Sequence, residues 1–393
     1  MEYIYDSLST DTMVIEVLQN GTLRWLGQNL TSAAQAKPIP PIPVKALHVS
    51  TTLNETTLDE YTQGVPFQVE DWASEYTVPL GLSGNNSIFS NTNMLVFLVN
   101  DNVSKVTVWW DGNDTAIQTP YAWRNVYFND DVTSSTLSYG LLNNSRIELN
   151  IPKTGNLIVN SRVVGDSATY KTDFLRVNDD SPDCGSGPSF VIYNGVVRDI
   201  VQHEPEYQNG VNGCPNFYAQ VFLTFPANAT YYTYSVRTIF VNSNQNRNVT
   251  DLSAIQLSNL SGNPLTEDGT SGGYPVSSIS TGYFYDGSPT GWDHHWSQVS
   301  SGTSGAGIMF TNSTNENLYV FDGVQKSGAL NVQSSRIEVN PVDSSLNSVS
   351  FLTSKDLTWY GAVVTFSNEP IYPTSGHNGL WVMVEHPPIV TVN

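Results

Sequence analysis

The stretch GWDHHWSQVSSG at 291–302 sets two histidines and an aspartate between two tryptophans, in a chain with only six histidines. In an extended strand, alternation puts Trp292, His294 and Trp296 on one side, with Asp293 and His295 on the other. Two indoles flanking an imidazole suit the apolar face of a sugar ring. The opposite side suits a proton carrier or a metal ligand, although neighbouring histidines reach one ion only across a turn. The plain alternative is that the indoles fill a core and the histidines bond local backbone.

A second cluster lies in VQHEPEYQNG at 201–210, where His203, Glu204 and Glu206 crowd together. The order HExE lacks the helical-turn spacing of the zinc signature HExxH, and Pro205 disfavours a helix. Glu204 and Glu206 share one side of an extended segment, and paired carboxylates are the equipment of glycoside hydrolysis. Among 36 acidic residues such pairs also arise without function. If this segment folds over 292–296, His203, Glu206 and His294 form an acid/base pocket. Glu204 and His295 are then further proton carriers, and Trp359 and Trp381 join Trp292 and Trp296 as sugar-stacking candidates.

Oxygen-rich runs occur at Asp111–Asn113–Asp114, at Asn129–Asp130–Asp131 and at Asn178 with Asp179, Asp180 and Asp183. Hard cations take such ligands, but none of these runs has EF-hand spacing, and most such runs are solvated turns. Calcium at Asp179, Asp180 and Asp183 is the best of the three, and no other cofactor is expected. No nucleophile elbow and no phosphate-binding glycine loop is present.

Composition narrows the setting. Sixteen Lys and Arg face 36 Asp and Glu, a net charge of -20, and only 13% of residues are charged. Ordinary soluble domains carry about 25%. Polarity comes instead from Asn, Ser, Thr and Gly, as on an extracellular surface, and one with few ion pairs tolerates acid. A steep loss of stability between about pH 6 and pH 4, the edge of carboxylate titration, would contradict that tolerance. The acidic balance and the lack of a basic stripe argue against nucleic acid. The N-terminal MEYIYDSLSTDTMVIEVL is not a signal peptide as it stands, and no apolar run reaches bilayer-spanning length.

Two cysteines, Cys184 and Cys214, bracket a loop-like segment. A disulfide closing roughly 30 residues stabilises by about 3–4 kcal/mol in the chain-entropy model. Inert buried thiols are the alternative. Eleven Asn-x-Ser/Thr sequons stand at Asn20, Asn29, Asn54, Asn85, Asn102, Asn113, Asn143, Asn228, Asn248, Asn259 and Asn312. Seven fall in the first 150 residues, and several sit in turn-like contexts where a glycan is accepted.

These residues need elements to hold them, and the elements read as strands. TMVIEVL and TLRWLG flank QNG, a hairpin signal. Short alternating or apolar runs bounded by Asn, Asp, Gly and Pro then continue through MLVFLV, KVTVWW, RIELNI, NFYAQVFLTF, YYTYSVRTIFV and LTWYGAVVTF. Helix candidates are scarce: a turn or two at 252–262, and TSAAQAK near 31–37. NNSRIELNIPKTG at 143–155 echoes QSSRIEVNPVDSS at 333–345, as equivalent strands of two related domains would. The expected architecture is all-β: antiparallel sandwich domains, or one large many-stranded sandwich. A boundary in NDDSPDCGSGP at 178–188 divides a β-rich domain, 1–180, from a larger sandwich, 181–393.

The passages KVTVWWDGNDT and TWYGAVVTFSNEPIYPTSGHNGLWVMVEHPP carry a texture that resembles archaeal secreted and cell-surface β-sandwich glycoproteins. The likeness is compositional, spans the full length and rests on no motif. It implies an extracellular structural glycoprotein whose partners are other surface proteins or copies of itself. The alternative is a carbohydrate-active protein, either a sugar-binding module or a glycoside hydrolase or polysaccharide lyase.

Overall fold

The computed structural model describes residues 2–5, 12–18, 22–25, 42–43, 47–50, 67–71, 88–89, 93–98, 105–110, 127–129, 139–152, 154–155, 157–177, 185–194, 198–203, 206–207, 217–227, 229–239, 251–267, 276–277, 281–286, 296–310, 319–321, 324–326, 328–339, 342–343, 350–351, 357–367 and 390–392. Among them every regular element is a strand, and every registered pairing is antiparallel. The chain is all-β. The stretch 252–262 that could turn into a helix is instead the strand Asp251–Ser258 followed by a turn. Its Ile255 and Leu257 alternate with Gln256 and Ser258, and pairing on both edges decides for the extended form.

The chain divides into two compact units: Met1–Val126 with Ile192–Asp199 and His386–Asn393, and Tyr127–Val191 with Ile200–Glu385. The first holds two four-stranded sheets. One contains the hairpin of Thr12–Leu18 and Thr22–Trp25, closed by the Leu18–Thr22 pair, where QNG signals it. The boundary differs from the one the polar run at 178–188 suggests. Tyr170–Val177 on one side of that run pairs with Asp251–Ser258 on the other, so both belong to one sheet.

The second unit is a sandwich. Its ten-stranded sheet runs in the order Tyr127–Asn129, Tyr139–Asn143, Ile147–Pro152, Ile158–Val163, Tyr170–Val177, Asp251–Ser258, Arg336–Val339, Gly328–Val332 and Gly282–Asp286, with Val342–Asp343 added beside Asp251–Ser258. The facing sheet has eleven strands, with the core order Phe217–Pro226, Tyr231–Ile239, Leu357–Phe366, Ser304–Phe310, Trp296–Ser301 and Asn263–Glu267. Ile147–Pro152 shows how alternation builds the interior: Ile147, Leu149 and Ile151 are buried while Glu148 and Asn150 are half-buried.

Polar side chains stitch the two sheets together. The Tyr232 phenol donates to Thr172 Oγ1 at 2.8 Å, and Ser161 and Thr365 hydroxyls meet at 3.1 Å. Phe174 and Tyr234 meet edge to face at 5.9 Å. Burial pushes the Tyr232 and Tyr234 phenols above their ordinary range, so both remain protonated donors at neutral pH.

The eleven-stranded sheet departs from the one-sided pattern expected of a sandwich with wet outer faces. Residues 296–300, 305–309 and 361–366 are buried without a break. Tyr232 and Tyr234 face the ten-stranded sheet, so the opposite face carries Tyr231, Trp296, Met309, Ala362 and Val364, which form a buried cluster with Ala229. Strands covered on both faces need continuous apolar runs, and GAVVTF is such a run.

Candidate functional site

The nominated residues do not assemble one site among the described residues. Trp296 has no exposed surface and packs in the cluster with Tyr231, Met309 and Val364. Trp359 is 6% exposed. Stacking on a sugar needs an open ring face, so both indoles are core residues and not the sugar platforms their sequence suggests. His203 ends the strand Arg198–His203 and is wholly buried, as are its strand neighbours. Glu206 begins the two-residue strand Glu206–Tyr207, which pairs with Gly185–Asn194 and Phe217–Pro226. Trp292, His294, His295, Trp381, Glu204, Cys184, Cys214, Asp179, Asp180 and Asp183 lie outside the described residues. Among the described residues no cluster of His, Cys, Asp or Glu is placed to hold a metal ion, and no helix is long and apolar enough to cross a membrane.

Two of the eleven sequon asparagines are described, and they differ. Asn259 is exposed on the turn after Asp251–Ser258, with φ at 61°. Asn tolerates that left-handed backbone. Asn143 is engaged: its Nδ2 donates to Glu148 Oε1 at 3.0 Å, and its Oδ1 accepts from Ser145 N at 2.8 Å. The other nine, Asn20, Asn29, Asn54, Asn85, Asn102, Asn113, Asn228, Asn248 and Asn312, lie outside the described residues.

The structure instead gathers a polar array on the ten-stranded sheet, on the face turned away from the sandwich interior. Register builds it in rows. Asn150, Asn160, Lys171, Ser258 and Arg336 line up across five strands. Asp173, Gln256, Glu338 and Asn331 line up in the next row. Glu148 stands opposite Arg162. Each carboxylate is held. Glu338 accepts from Gln256 Nε2 at 2.7 Å, Ser253 Oγ at 3.3 Å and Asn331 Nδ2 at 2.7 Å, with Arg336 Nε at 3.8 Å. Glu148 accepts from Asn143 and from the Arg162 guanidinium. Lys171 Nζ lies 3.2 Å from Asp173.

The SRIE echo gains a meaning here. Both copies sit in this one sheet rather than in two domains. In each, an asparagine on the preceding strand pairs with the motif glutamate and donates to it, Asn143 to Glu148 and Asn331 to Glu338. The turns differ. Asn144 N bonds Ile147 O in the first hairpin, whereas Gln333 N bonds Arg336 O in the second. The turn slides by one residue against the motif, yet Ile147 and Ile337 both point inward. Gln256 and Ser253 carried no sequence signal, because they lie more than 80 residues from Glu338.

At the rim of the sandwich Asp166 ties the sheets together. Its Oδ1 accepts from Ser167 N at 2.6 Å and Ala168 N at 3.2 Å. The Ser367 hydroxyl, itself 3.0 Å from Ser304 Oγ, bonds the same side chain. The Ser367 bond, then the backbone bonds, hold the Asp166 carboxyl below its ordinary value against a small opposing effect of burial. A carboxyl depressed in the folded state adds stability above its unfolded value, near pH 4, and loses it as pH falls through the folded value. Replacing Asp166 with Asn is therefore expected to destabilise at neutral pH and to converge with wild type once the pH has fallen through the folded-state value, in melting curves taken down the acid range.

No known protein family and no curated protein matches the chain. Among solved structures, an alpha-mannosidase from Enterococcus faecalis is similar at 8% identity and a TM-score of 0.44, over 99% of this chain and 47% of its own. A glycosyl hydrolase family 38 protein from Enterococcus faecalis follows at 9% identity and 0.45, over 97% and 47%. An alpha-galactosidase of family GH36 from Geobacillus stearothermophilus gives 9% and 0.27, over 95% and 42%. The chain spans about half the length of the first two, or less for the third. At these identities and TM-scores no activity passes to this chain.

Proposed function

We propose that this chain is an extracellular surface glycoprotein that works through contacts with other proteins rather than through catalysis. The observation that carries the reading is how the described chemistry-bearing side chains are used. Trp296, Trp359 and His203 are buried, and Glu338 and Glu148 are bound by donors from neighbouring strands. Carboxylates held by donors on neighbouring strands tie those strands together, which is a structural use of the group. The low charge density and the exposed sequon at Asn259 agree with an extracellular setting.

The test is a screen of the purified protein against polysaccharides, read as release of reducing ends, together with glycopeptide mass spectrometry. No cleavage, with a glycan at Asn259, is the expected result. Cleavage that disappears in Glu206→Gln would replace this reading with the carbohydrate-active one.

A further inference from the structure

We propose that an N-linked glycan at Asn259 caps one end of the second unit, and that contacts with other proteins are made away from that end. The proposal rests on the surface-glycoprotein reading above, which expects a glycan at Asn259, and gives that glycan a task.

Strand register gathers the turns that form this end. Ser258 stands opposite Lys171 on one neighbouring strand and Arg336 on the other, so the turns at 164–169 and 333–335 flank the turn after Ser258. Ile147 opposite Val163 brings the turn at 144–146 to the same end. On the facing sheet, Asn263 opposite Ser300 and Gly305 opposite Phe366 bring the turn at 301–304 there as well. Residues 259–262 leave the ten-stranded sheet and enter the eleven-stranded one, so they arch over this end from layer to layer.

The arch is fixed at both feet. Leu260 is 5% exposed, and its N–H donates to Ser335 O at 3.2 Å, which ties the arch to the ten-stranded sheet. Gly262, with φ at 135°, lies so close to the Ser300 carbonyl on the other sheet that a Cβ there would overlap it. Between the feet Asn259 and Ser261, the acceptor and the hydroxyl residue of the sequon, are both exposed. Attachment is a transfer: Asn259 Nδ2 bonds to C1 of a sugar carried on a lipid phosphate. The C1–O bond to that phosphate breaks, and one amide proton passes to a base of the transferring enzyme.

The flanking turns suit a sugar cover better than a protein partner. Their exposed positions are Ser, Thr, Gly and Asn, apart from Arg146 and Val164. Val164 is the one exposed large apolar side chain among the described residues. Protein interfaces are instead rich in aromatics, Met and Arg and poor in Ser. A stable interface also takes about 800 Å² from each partner, and a bulky glycan rooted between these turns interrupts such an area.

The experiment uses the full chain, exported from a host that N-glycosylates, with Ser167→Cys or Ser334→Cys added at exposed positions on either flank of the arch. Glycopeptide mass spectrometry reads occupancy. Labelling of the added thiol is then timed with a small maleimide and with a maleimide on a protein-sized dextran, against the chain without that thiol. A glycan at Asn259 is expected. The bulky reagent should react several-fold more slowly than on endoglycosidase-treated protein, and the small one alike on both. Adding Ser261→Ala, which removes the sequon and keeps Asn259, should restore the fast rate at a matched melting temperature. If that variant melts early, the endoglycosidase comparison needs no change in the arch. A bare Asn259 beside occupied sequons elsewhere overturns the inference and leaves the surface-glycoprotein reading standing. So does a bulky-reagent rate indifferent to the glycan, or one restored by the endoglycosidase and not by a well-folded Ser261→Ala, since another glycan is then the cap. A disulfide-linked dimer formed through an added cysteine while the glycan is attached also overturns it, because a protein then reaches this end. Polysaccharide cleavage, or no glycan at any sequon, instead removes the reading underneath.

Discussion

Replacing Gly361 with Ala is expected to destabilise the sandwich by about 3–5 kcal/mol, or to stop it folding. Gly361 lies on Leu357–Phe366, opposite Tyr234 on one side and Phe310 on the other. The Tyr234 ring crosses this strand, and its hydroxyl donates to Met309 O at 2.7 Å on the next strand over. A Cβ at 361 would stand well under 3 Å from both the Met309 carbonyl oxygen and the Tyr234 hydroxyl. Both neighbours are anchored by their strands, so neither gives way cheaply. In a unit of this size such a loss lowers the melting temperature by roughly 6–20 °C, readable by calorimetry. Tyr234→Phe alone should cost only about 1–1.5 kcal/mol, the worth of one hydrogen bond. The double variant should fall short of additivity, because removing the hydroxyl relieves part of the clash. A Gly361→Ala protein that melts with wild type would show that the phenol does not cross the strand here.

Asn144 is the second position where a small change should be severe. It has no exposed surface, and its amide uses every polar atom. Nδ2 donates to Pro226 O at 2.7 Å and Ala229 O at 2.9 Å on the facing sheet, and Oδ1 accepts from Arg146 N and Ile147 N at 3.0 and 2.9 Å. One side chain therefore shapes its own hairpin and clamps it to the turn before Tyr231–Ile239. Asn144→Ala should cost about 3–4 kcal/mol, since it leaves buried carbonyls and amides without partners. Asn144→Asp keeps the shape but points a carboxylate at two carbonyl oxygens. Its carboxyl should titrate above the unfolded value, because the neutral form alone can donate. A group raised in the folded state adds stability when protonated, so the Asp variant should recover as pH falls, opposite in sign to the Asp166 effect. Denaturant melts at several pH values decide it, and a flat profile would refute the clamp.

Much of the β architecture was legible because alternation and turn residues act locally. RIELNI shows its buried and half-buried sides in six residues, and QNG marks its hairpin with no outside help. The candidate site was far less legible. Trp296 and Trp359 look alike as platform or core, since an indole serves either role, and only what packs against them decides. Asn144 looks like a sequon neighbour until its carbonyl partners arrive from more than 80 residues away. The SRIE echo was visible, but its placement within one sheet was not.

By itself, then, the sequence determined the strand character, the acidic and weakly charged surface, and where several hairpins turn. These follow from side-chain type and near neighbours. Tertiary structure alone decided which strands are buried on both faces, which carboxylates are tied by donors on neighbouring strands, and which glycine admits a phenol. Those outcomes depend on pairing and packing between segments distant in the chain, and no local pattern encodes that pairing.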